Sequence, residues 1–164
     1  MDALRQRVRQ FREAGAVPSP DDFRLARELL EDEALFALFA RQEPRDVVHA
    51  VNTARWLLAR GHEDAELVQA ALLHDIGKGR QRTRDRVGWV VAETLGAGGW
   101  LADERSPLEL RRAFARTRDH SDAGADWLVA AGADVRVVEL TRLHHGSPGG
   151  DAMLALLQAA DAAS

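Results

Sequence analysis

The sequence contains no cysteine among its 164 residues, and tyrosine is also absent. The lack of cysteine excludes disulfide bonds, thiolate metal sites and cysteine nucleophiles. A metal ion in this protein must therefore take its ligands from nitrogen and oxygen atoms. A chain of this length fits one domain, which is large enough to bury a core without covalent cross-links.

Long hydrophobic runs are missing as well. No segment approaches the roughly 20 apolar residues that a membrane-spanning helix needs, and residues 1–12 lack the apolar centre of a signal peptide. The formal net charge of −4 argues against a dedicated nucleic-acid-binding protein. We expect a cytoplasmic protein with no membrane partner and no dedicated nucleic-acid partner. The sequence leaves its oligomeric state open.

Lysine is almost absent, since Lys78 is the only one and the other basic residues are arginines. A genome that prefers arginine codons explains the general bias. The single lysine lies three residues after Asp75, in a segment where a histidine and an aspartate are adjacent. This position favours a functional role for Lys78.

The residues that are abundant favour helices. Alanine, leucine, arginine and glutamate dominate, and apolar residues recur at helical spacing without strand-like alternation. Proline and aspartate after Ser19 suit a first helical turn, whereas Gly61, Gly77 and Gly132 suit helix ends. The sequence thus predicts an all-α single domain. The predicted helices cover residues 20–30, 35–43, 47–61, 67–77, 87–95, 106–132, 135–144 and 153–157.

Two histidines fall at positions that a helical hairpin would bring together. His49 and His74 are equally distant from the predicted turn at residues 61–62, and such residues lie at the same height in an antiparallel hairpin. Asp75 follows His74 at the predicted helix end, which suits a metal ion just beyond that end better than a hydrogen-bonded pair. The sequence therefore predicts a metal site at the open end of this hairpin.

A second histidine pair repeats the arrangement. The midpoint of His120 and His144 is Gly132, the break between the two later helices. No such hairpin brings Asp161 to the histidines. It is an acidic residue that interrupts an apolar helix end near the C-terminus. The residues alone therefore favour a solvated carboxylate at Asp161, while spacing predicts two histidine pairs.

These residues together resemble the motif of the HD-domain superfamily of metal-dependent phosphohydrolases. His49 resembles its first histidine, His74 and Asp75 its name-giving pair, and Asp161 its final aspartate. The resemblance implies an all-α HD-domain helical bundle over residues 44–164. Residues 1–43 would then form an N-terminal helical extension packed on this core.

The resemblance also implies a two-metal member of the superfamily, because His120 and His144 match the two extra histidines of such members. It places one metal on the four motif residues named above and makes Asp75 the bridge to a second metal on His120 and His144. Nitrogen and carboxylate ligands suit two divalent transition metal ions. We expect iron or manganese, and cobalt, nickel or zinc also fit.

Three further side chains are candidates for substrate binding. Lys78 resembles a lysine of many family members and would neutralise charge that develops on a phosphate, so Asp75 and Lys78 are the expected catalytic residues. Arg82 belongs to a series of alternating arginines that suits either a polyphosphate or a solvated loop. His145 follows His144, and we expect only His144 to face the metals. His145 is left to contact substrate or to add a ligand, as in three-metal relatives.

The pattern resembles small bacterial two-metal HD hydrolases that cleave nucleotides, including dinucleoside polyphosphates. We therefore expect a metal-bridged hydroxide to hydrolyse a phosphoester or phosphoanhydride bond of a nucleotide or dinucleotide. Residues 145–150 depart from the Gly-Tyr-Pro signature of the related cyclic dinucleotide phosphodiesterases, which argues against that substrate. Two alternatives stay open: a mixed-valent diiron oxygenase with the same ligands, and a non-catalytic nucleotide-binding regulatory module.

Overall fold

The computed structural model describes residues 17–79, Ala92, Thr94 and residues 96–164. Within them lie α-helices, one short 3₁₀ helix and no β-strand, so the all-α prediction is confirmed. The α-helices are α1 (Pro20–Leu30), α2 (Glu33–Ala40), α3 (Pro44–Leu58), α4 (Ala65–Leu73), α5 (Gly98–Leu101), α6 (Glu109–Ala130), α7 (Val135–Leu143) and α8 (Ala152–Ala163). The 3₁₀ helix, Ile76–Lys78, follows α4.

Short polar side chains explain where most of these helices begin. Ser19 and Asp22 form a capping box at α1, in which each side chain accepts the backbone N–H of the other residue. Aspartates accept free N–H groups at the start of four later helices, which stabilises each helix by about 1 kcal/mol. These aspartates are Asp32 before α2, Asp64 before α4, Asp134 before α7 and Asp151 before α8.

Two helical hairpins and the last helix form the body of the bundle. Helix α3 packs on α4, α6 packs on α7, and α4 packs on α7 to join the hairpins. Helix α8 lies mainly against α3. The shared core contains fully buried leucines, each of which stabilises the fold by about 2 kcal/mol. They include Leu57, Leu72, Leu128, Leu140 and Leu157.

The two N-terminal helices of the described chain share this core. Helix α1 packs on both α3 and α4, and α2 packs on α1 and α4. Leu30 and Phe39 are fully buried in the same hydrophobic cluster as the leucines of the hairpins. The proposed division between an extension and an HD domain at residue 44 stays a prediction.

The end of α4 differs from the predicted helix. We expected the helix to continue to Gly77, but α4 ends at Leu73 and the chain passes through His74 and Asp75 into the 3₁₀ helix. Asp75 has φ −103° and ψ 3°, outside the α-helical region, and its carbonyl accepts the N–H of Lys78 at 3.0 Å. This tighter turn lets the 3₁₀ helix pack on α6.

The helices predicted over residues 106–132 and 87–95 have different outcomes. Helix α6 begins at Glu109 rather than at residues 106–107, because Ser106 Oγ accepts the N–H of Leu108 in a local turn at 3.2 Å. The helix predicted over residues 87–95 lies outside the described residues, apart from Ala92 and Thr94. Among the helices that are described, none has both the length and the apolar character needed to cross a membrane.

Candidate metal centre

Side chains from both hairpins and from α8 converge on one site. The hairpin turns bring the histidines together in pairs, with ring centroids 5.5 Å apart for His49 and His74 and 5.2 Å apart for His120 and His144. The contributing positions are His49 on α3, His74 and Asp75 after α4, Lys78 at the end of the 3₁₀ helix, His120 on α6, His144 and His145 after α7, and Asp161 on α8.

His49, His74 and Asp161, which we call the first group, have ligand atoms within 4.8 Å of one another. Oδ1 of Asp161 lies 2.8 Å from Nε2 of His49 and 3.6 Å from Nε2 of His74. The residues alone favoured a solvated carboxylate at Asp161. The structure instead places it beside two histidines, because α8 packs against α3 and α4.

His120, His144 and His145, which we call the second group, also have ligand atoms within 4.8 Å of one another. Nε2 of His120 lies 3.3 Å from Nε2 of His144 and 3.1 Å from Nε2 of His145. We expected only one of the two adjacent histidines to face the site, whereas both do. Helix α7 ends at Leu143, so His144 and His145 lie in a turn rather than at fixed helical spacing.

The carboxylate of Asp75 lies between the two groups. Its Oδ2 is 3.5 Å from Nε2 of His74. Its Oδ1 is 3.3 Å from Nε2 of His120 and 3.7 Å from Nε2 of His144. Each oxygen therefore faces one group, as a carboxylate bridge between two cations requires.

Backbone carbonyls determine which ring nitrogen three of the histidines present to the site. A carbonyl oxygen can only accept, so each Nδ1 must donate its proton, and in the neutral ring Nε2 is then the nitrogen with a lone pair. Metal-binding histidines commonly use this arrangement. The contacts are His74 Nδ1 to Ala71 O at 3.0 Å, His120 Nδ1 to Thr117 O at 2.7 Å and His144 Nδ1 to Thr141 O at 2.6 Å.

Two buried atoms of the site have no hydrogen-bond partner among the described residues. They are Nε2 of His74 and Oδ1 of Asp75, in residues that are 0% and 2% exposed. An unpaired polar atom at such depth is costly, and coordination of a metal would satisfy both. The nitrogen and carboxylate donors present therefore fit divalent transition metal ions.

Electrostatic interactions shift the pKa values of both Asp75 and His74. Burial opposes ionisation of Asp75, but the charges of Lys78 and His74 outweigh it and hold the pKa of this carboxyl well below its usual range. Burial likewise opposes protonation of His74, but the carboxylates of Asp75 and Asp161 raise its pKa to about 9. In the metal-free site, a proton on His74 thus balances part of the negative charge.

The pKa values of His144 and His145, in the second group, are shifted in the opposite direction. Burial is the main cause that lowers the pKa of His144. Burial, followed by the charges of His144 and His120, lowers the pKa of His145 to about 4. Both rings are therefore neutral near pH 7 and offer unprotonated nitrogen atoms, as metal ligands must.

Of the two basic candidates for substrate binding, Lys78 and Arg82, only Lys78 lies within the described residues. Lys78 forms an ion pair with Oδ2 of Asp75, and its side chain is 25% exposed. Its ammonium group therefore lies at the candidate metal centre, and part of its side chain is exposed to solvent. Arg82 lies outside the described residues.

Sequence reasoning missed Gln158. Its Nε2 donates to the carbonyl of His144 at 3.1 Å and to the carbonyl of Gly146 at 2.7 Å, which holds the turn that carries the second group. A signal was available, because Gln158 lies three residues before Asp161 and such residues share one face of a helix. A polar side chain on the same helix face as Asp161 could therefore have been predicted to lie near the site.

Fold and site together define an all-α protein whose buried histidines and aspartates can hold metal ions. A family model of the HD domain matches residues 23–163, which is most of the chain. The protein therefore belongs to the HD-domain superfamily of metal-dependent phosphohydrolases. Comparisons of this chain with curated proteins and with solved structures found no match.

Proposed function

We propose that this protein is a two-metal phosphohydrolase that cleaves a phosphoester or phosphoanhydride bond of a nucleotide or dinucleotide. The observation that carries the proposal is the position of Asp75, whose two oxygens face two separate groups of ligand atoms. Membership of the HD-domain superfamily supports the general reaction class. A phosphorylated small-molecule substrate and a cytoplasmic location are further parts of the proposal.

One divalent cation would be held by the first group and the other by the second group, with Asp75 as their shared ligand. His145 would give the second group a third nitrogen in addition to those of His120 and His144. Iron or manganese is our expectation, and cobalt, nickel and zinc suit the same donors. When bound, such a pair supplies a water of lowered pKa and positive charge for phosphoryl oxygens.

Lys78 would bind the substrate phosphate. It pairs with Asp75 in the metal-free site, where the carboxylate needs a countercharge. With Asp75 as a metal ligand, that need would be met, and the ammonium group would be available to a phosphate oxygen. A lysine is a compact charge on a flexible stem, which suits this change of partner.

Metal-dependent turnover tests the proposal. The protein is stripped with a chelator, reloaded with Mn²⁺ or with Fe²⁺, and incubated with nucleoside mono-, di- and triphosphates and dinucleoside polyphosphates while released phosphate and nucleotide are measured. We expect two metals per chain and hydrolysis of at least one of these nucleotides. Asp75→Asn is expected to lower the rate by about a hundredfold or more. This is the order of the rate decrease that removal of one charge-stabilising group causes.

Asp64→Asn is the matched control, because asparagine caps a helix as well as aspartate does and Asp64 lies at the start of α4, away from the site. Its activity is expected to equal that of the wild type. Oxygen consumption by the iron-loaded protein without phosphate release would contradict the proposal in favour of an oxygenase. Two bound metals with no product from any nucleotide would favour a non-catalytic binding module.

A further inference from the structure

The 3₁₀ helix approaches α6 through two glycines. A Cβ atom added to Gly77 would lie 2.0 Å from the carbonyl oxygen of His120 and 2.6 Å from the backbone nitrogen of Gly124. A Cβ atom added to Gly124 would lie 3.2 Å from the backbone nitrogen of Gly77 and 3.3 Å from Cγ1 of Ile76. We call this backbone-to-backbone approach of Gly77 and Gly124 the glycine contact.

Backbone conformation does not explain these glycines. Neither has a φ in the left-handed region, whereas Gly61, Gly79 and Gly132 do. An alanine could therefore adopt the same backbone angles at either position. Glycine in a helix interior lowers stability relative to alanine, so Gly124 within α6 is unfavourable for the helix itself. Close approach is the property that only glycine supplies here.

The glycine contact lies between the two halves of the candidate metal centre. Gly77 is two residues after Asp75, and a Cβ atom added to it would collide with the backbone of His120 itself. Asp75 and His120 come from different hairpins, and their Oδ1 and Nε2 atoms are 3.3 Å apart. The separation of these two side chains is therefore set by how closely the 3₁₀ helix can approach α6.

We propose that Gly77 and Gly124 are positioning residues that hold Asp75 at bridging distance from the second group. The proposal rests on the two-metal centre proposed above. The first group does not depend on the contact, because His49, His74 and Asp161 lie neither on the 3₁₀ helix nor on α6. The first metal would keep these three ligands when the contact widens, so binding of the second metal should weaken more than binding of the first.

The distances predict a graded effect. Ordinary contacts of a Cβ atom begin at 3.4 Å, so an alanine at Gly77 requires a displacement of more than an ångström at the backbone of His120. An alanine at Gly124 requires only a few tenths of an ångström. Metal–ligand distances tolerate about 0.2 Å. Gly77→Ala should therefore abolish the second site, and Gly124→Ala should weaken it.

The test is metal binding by the intact chain, measured as metal content after dialysis and as Mn²⁺ affinity from titrations followed by electron paramagnetic resonance. The wild type is expected to bind two ions whose spins are coupled through the bridging carboxylate. In Gly124→Ala the affinity of the second ion should fall about tenfold, a loss typical of ligand-positioning changes. In Gly77→Ala one uncoupled ion should remain.

Gly132→Ala is the control. Gly132 has φ +79° and no atom within 4 Å of an added Cβ, so alanine there strains the turn after α6 without approaching the site. This variant should lose thermal stability yet keep two coupled ions. If Gly77→Ala fails to fold, the result for Gly124→Ala decides the test.

Unchanged affinities and spin coupling in Gly124→Ala would overturn the proposal. Equal weakening of both ions would also overturn it, as would a wild-type protein that binds fewer than two ions. Failure of the proposed function alone is a distinguishable result, because it appears as two bound ions without nucleotide hydrolysis. The metal titrations measure the effect of the glycine contact in either case, since they do not depend on turnover.

Discussion

At the residue scale, the candidate ligands are prepared by their neighbours along the chain. His74, His120 and His144 each donate Nδ1–H to the carbonyl three residues earlier, so one local geometry recurs within α6 and just after the ends of α4 and α7. Holding the ring in this way fixes both its tautomer and its direction before any metal arrives. The cost of ordering the ligands is thus met in folding, which favours tight binding.

Lys78 gives the first prediction at this scale. Replacing it by glutamine removes the ammonium group expected to bind phosphate but leaves every candidate ligand in place. Lys78→Gln should lower kcat of the reloaded enzyme about a hundredfold, with two metals still bound. The measurement is nucleotide hydrolysis alongside metal analysis of the same sample.

Arg142→Gln is the control for charge alone. Arg142 is exposed and pairs with Asp122 and Asp126 on the surface, where ion pairs contribute little. Its activity should match that of the wild type. If Lys78→Gln kept full kcat, or if it lost a metal, a role in phosphate binding would be wrong.

At the scale of elements, α8 serves both groups. Asp161 reaches the first group, and Gln158, one turn earlier, holds the carbonyls of His144 and Gly146 in the turn that carries the second group. Helix α8 thereby positions the candidate ligand Asp161 directly, and it positions His144 and His145 through the backbone of their turn. Its own start is fixed by Asp151, which caps α8 and accepts two short hydrogen bonds, at 2.6 and 2.7 Å, from Arg136 of α7.

Gln158→Leu tests this positioning role. Leucine keeps a side chain of similar size but cannot donate to the two carbonyls, so the turn at residues 144–146 loses its restraint. We expect the affinity of the second ion to fall about tenfold while the affinity of the first ion is unchanged. Stepwise Mn²⁺ titration measures both.

Gln69→Leu is the matched control, because Gln69 Nε2 donates at 3.5 Å to the carbonyl of Leu29, away from the metal centre. It should alter neither affinity. An equal loss at both sites in Gln158→Leu would indicate general loosening of α8 rather than positioning of the second group.

Sequence spacing predicted the contacts within each hairpin better than those between elements. Equal distances from a turn indicated His49 beside His74 and His120 beside His144, because local chain geometry determines both pairs. Asp161 could not be placed in this way, since its position depends on how α8 packs across the body. The resemblance to the HD-domain superfamily supplied that residue.

The sequence pattern also could not predict where α4 ends. Apolar residues up to Ile76 continue the helical period, so helix was predicted as far as Gly77. The change to a 3₁₀ helix depends on contact with α6, which lies more than thirty residues later in the chain. His145 shows the same limit, because its direction depends on where α7 ends.

At the scale of the whole molecule, polar side chains occupy the centre of an otherwise apolar bundle. His74, Asp75, His120 and His144 are all at most 3% exposed, and fully buried leucines lie in the helices around them. Burying a charge is unfavourable unless it is paired. Without metal, these buried polar groups lower the stability of the bundle. Bound cations would pair with them, so the stability of the fold should depend on metal.

Metal removal tests this dependence. A ligand at one hundred times its Kd stabilises a fold by about 2.7 kcal/mol, and each kcal/mol raises Tm by about 2–4 °C for a chain of this size. Each bound cation should thus raise Tm by roughly 5–10 °C, measured by thermal melts of reloaded and chelator-treated protein. A melt that does not respond to the chelator would contradict a metal centre in this bundle.

The size of this Tm difference should also depend on pH. The pKa of His74 is raised to about 9 in the metal-free protein, above the usual histidine value of 6.5. Its proton therefore stabilises the metal-free fold fully below pH 6.5, and this contribution is lost as the pH rises toward 9. Metal displaces that proton, so the metal-bound fold has no such loss. The Tm difference between reloaded and chelator-treated protein should increase from about pH 6.5 to pH 8.5, and a constant difference over that range would exclude His74 as a proton-bearing ligand.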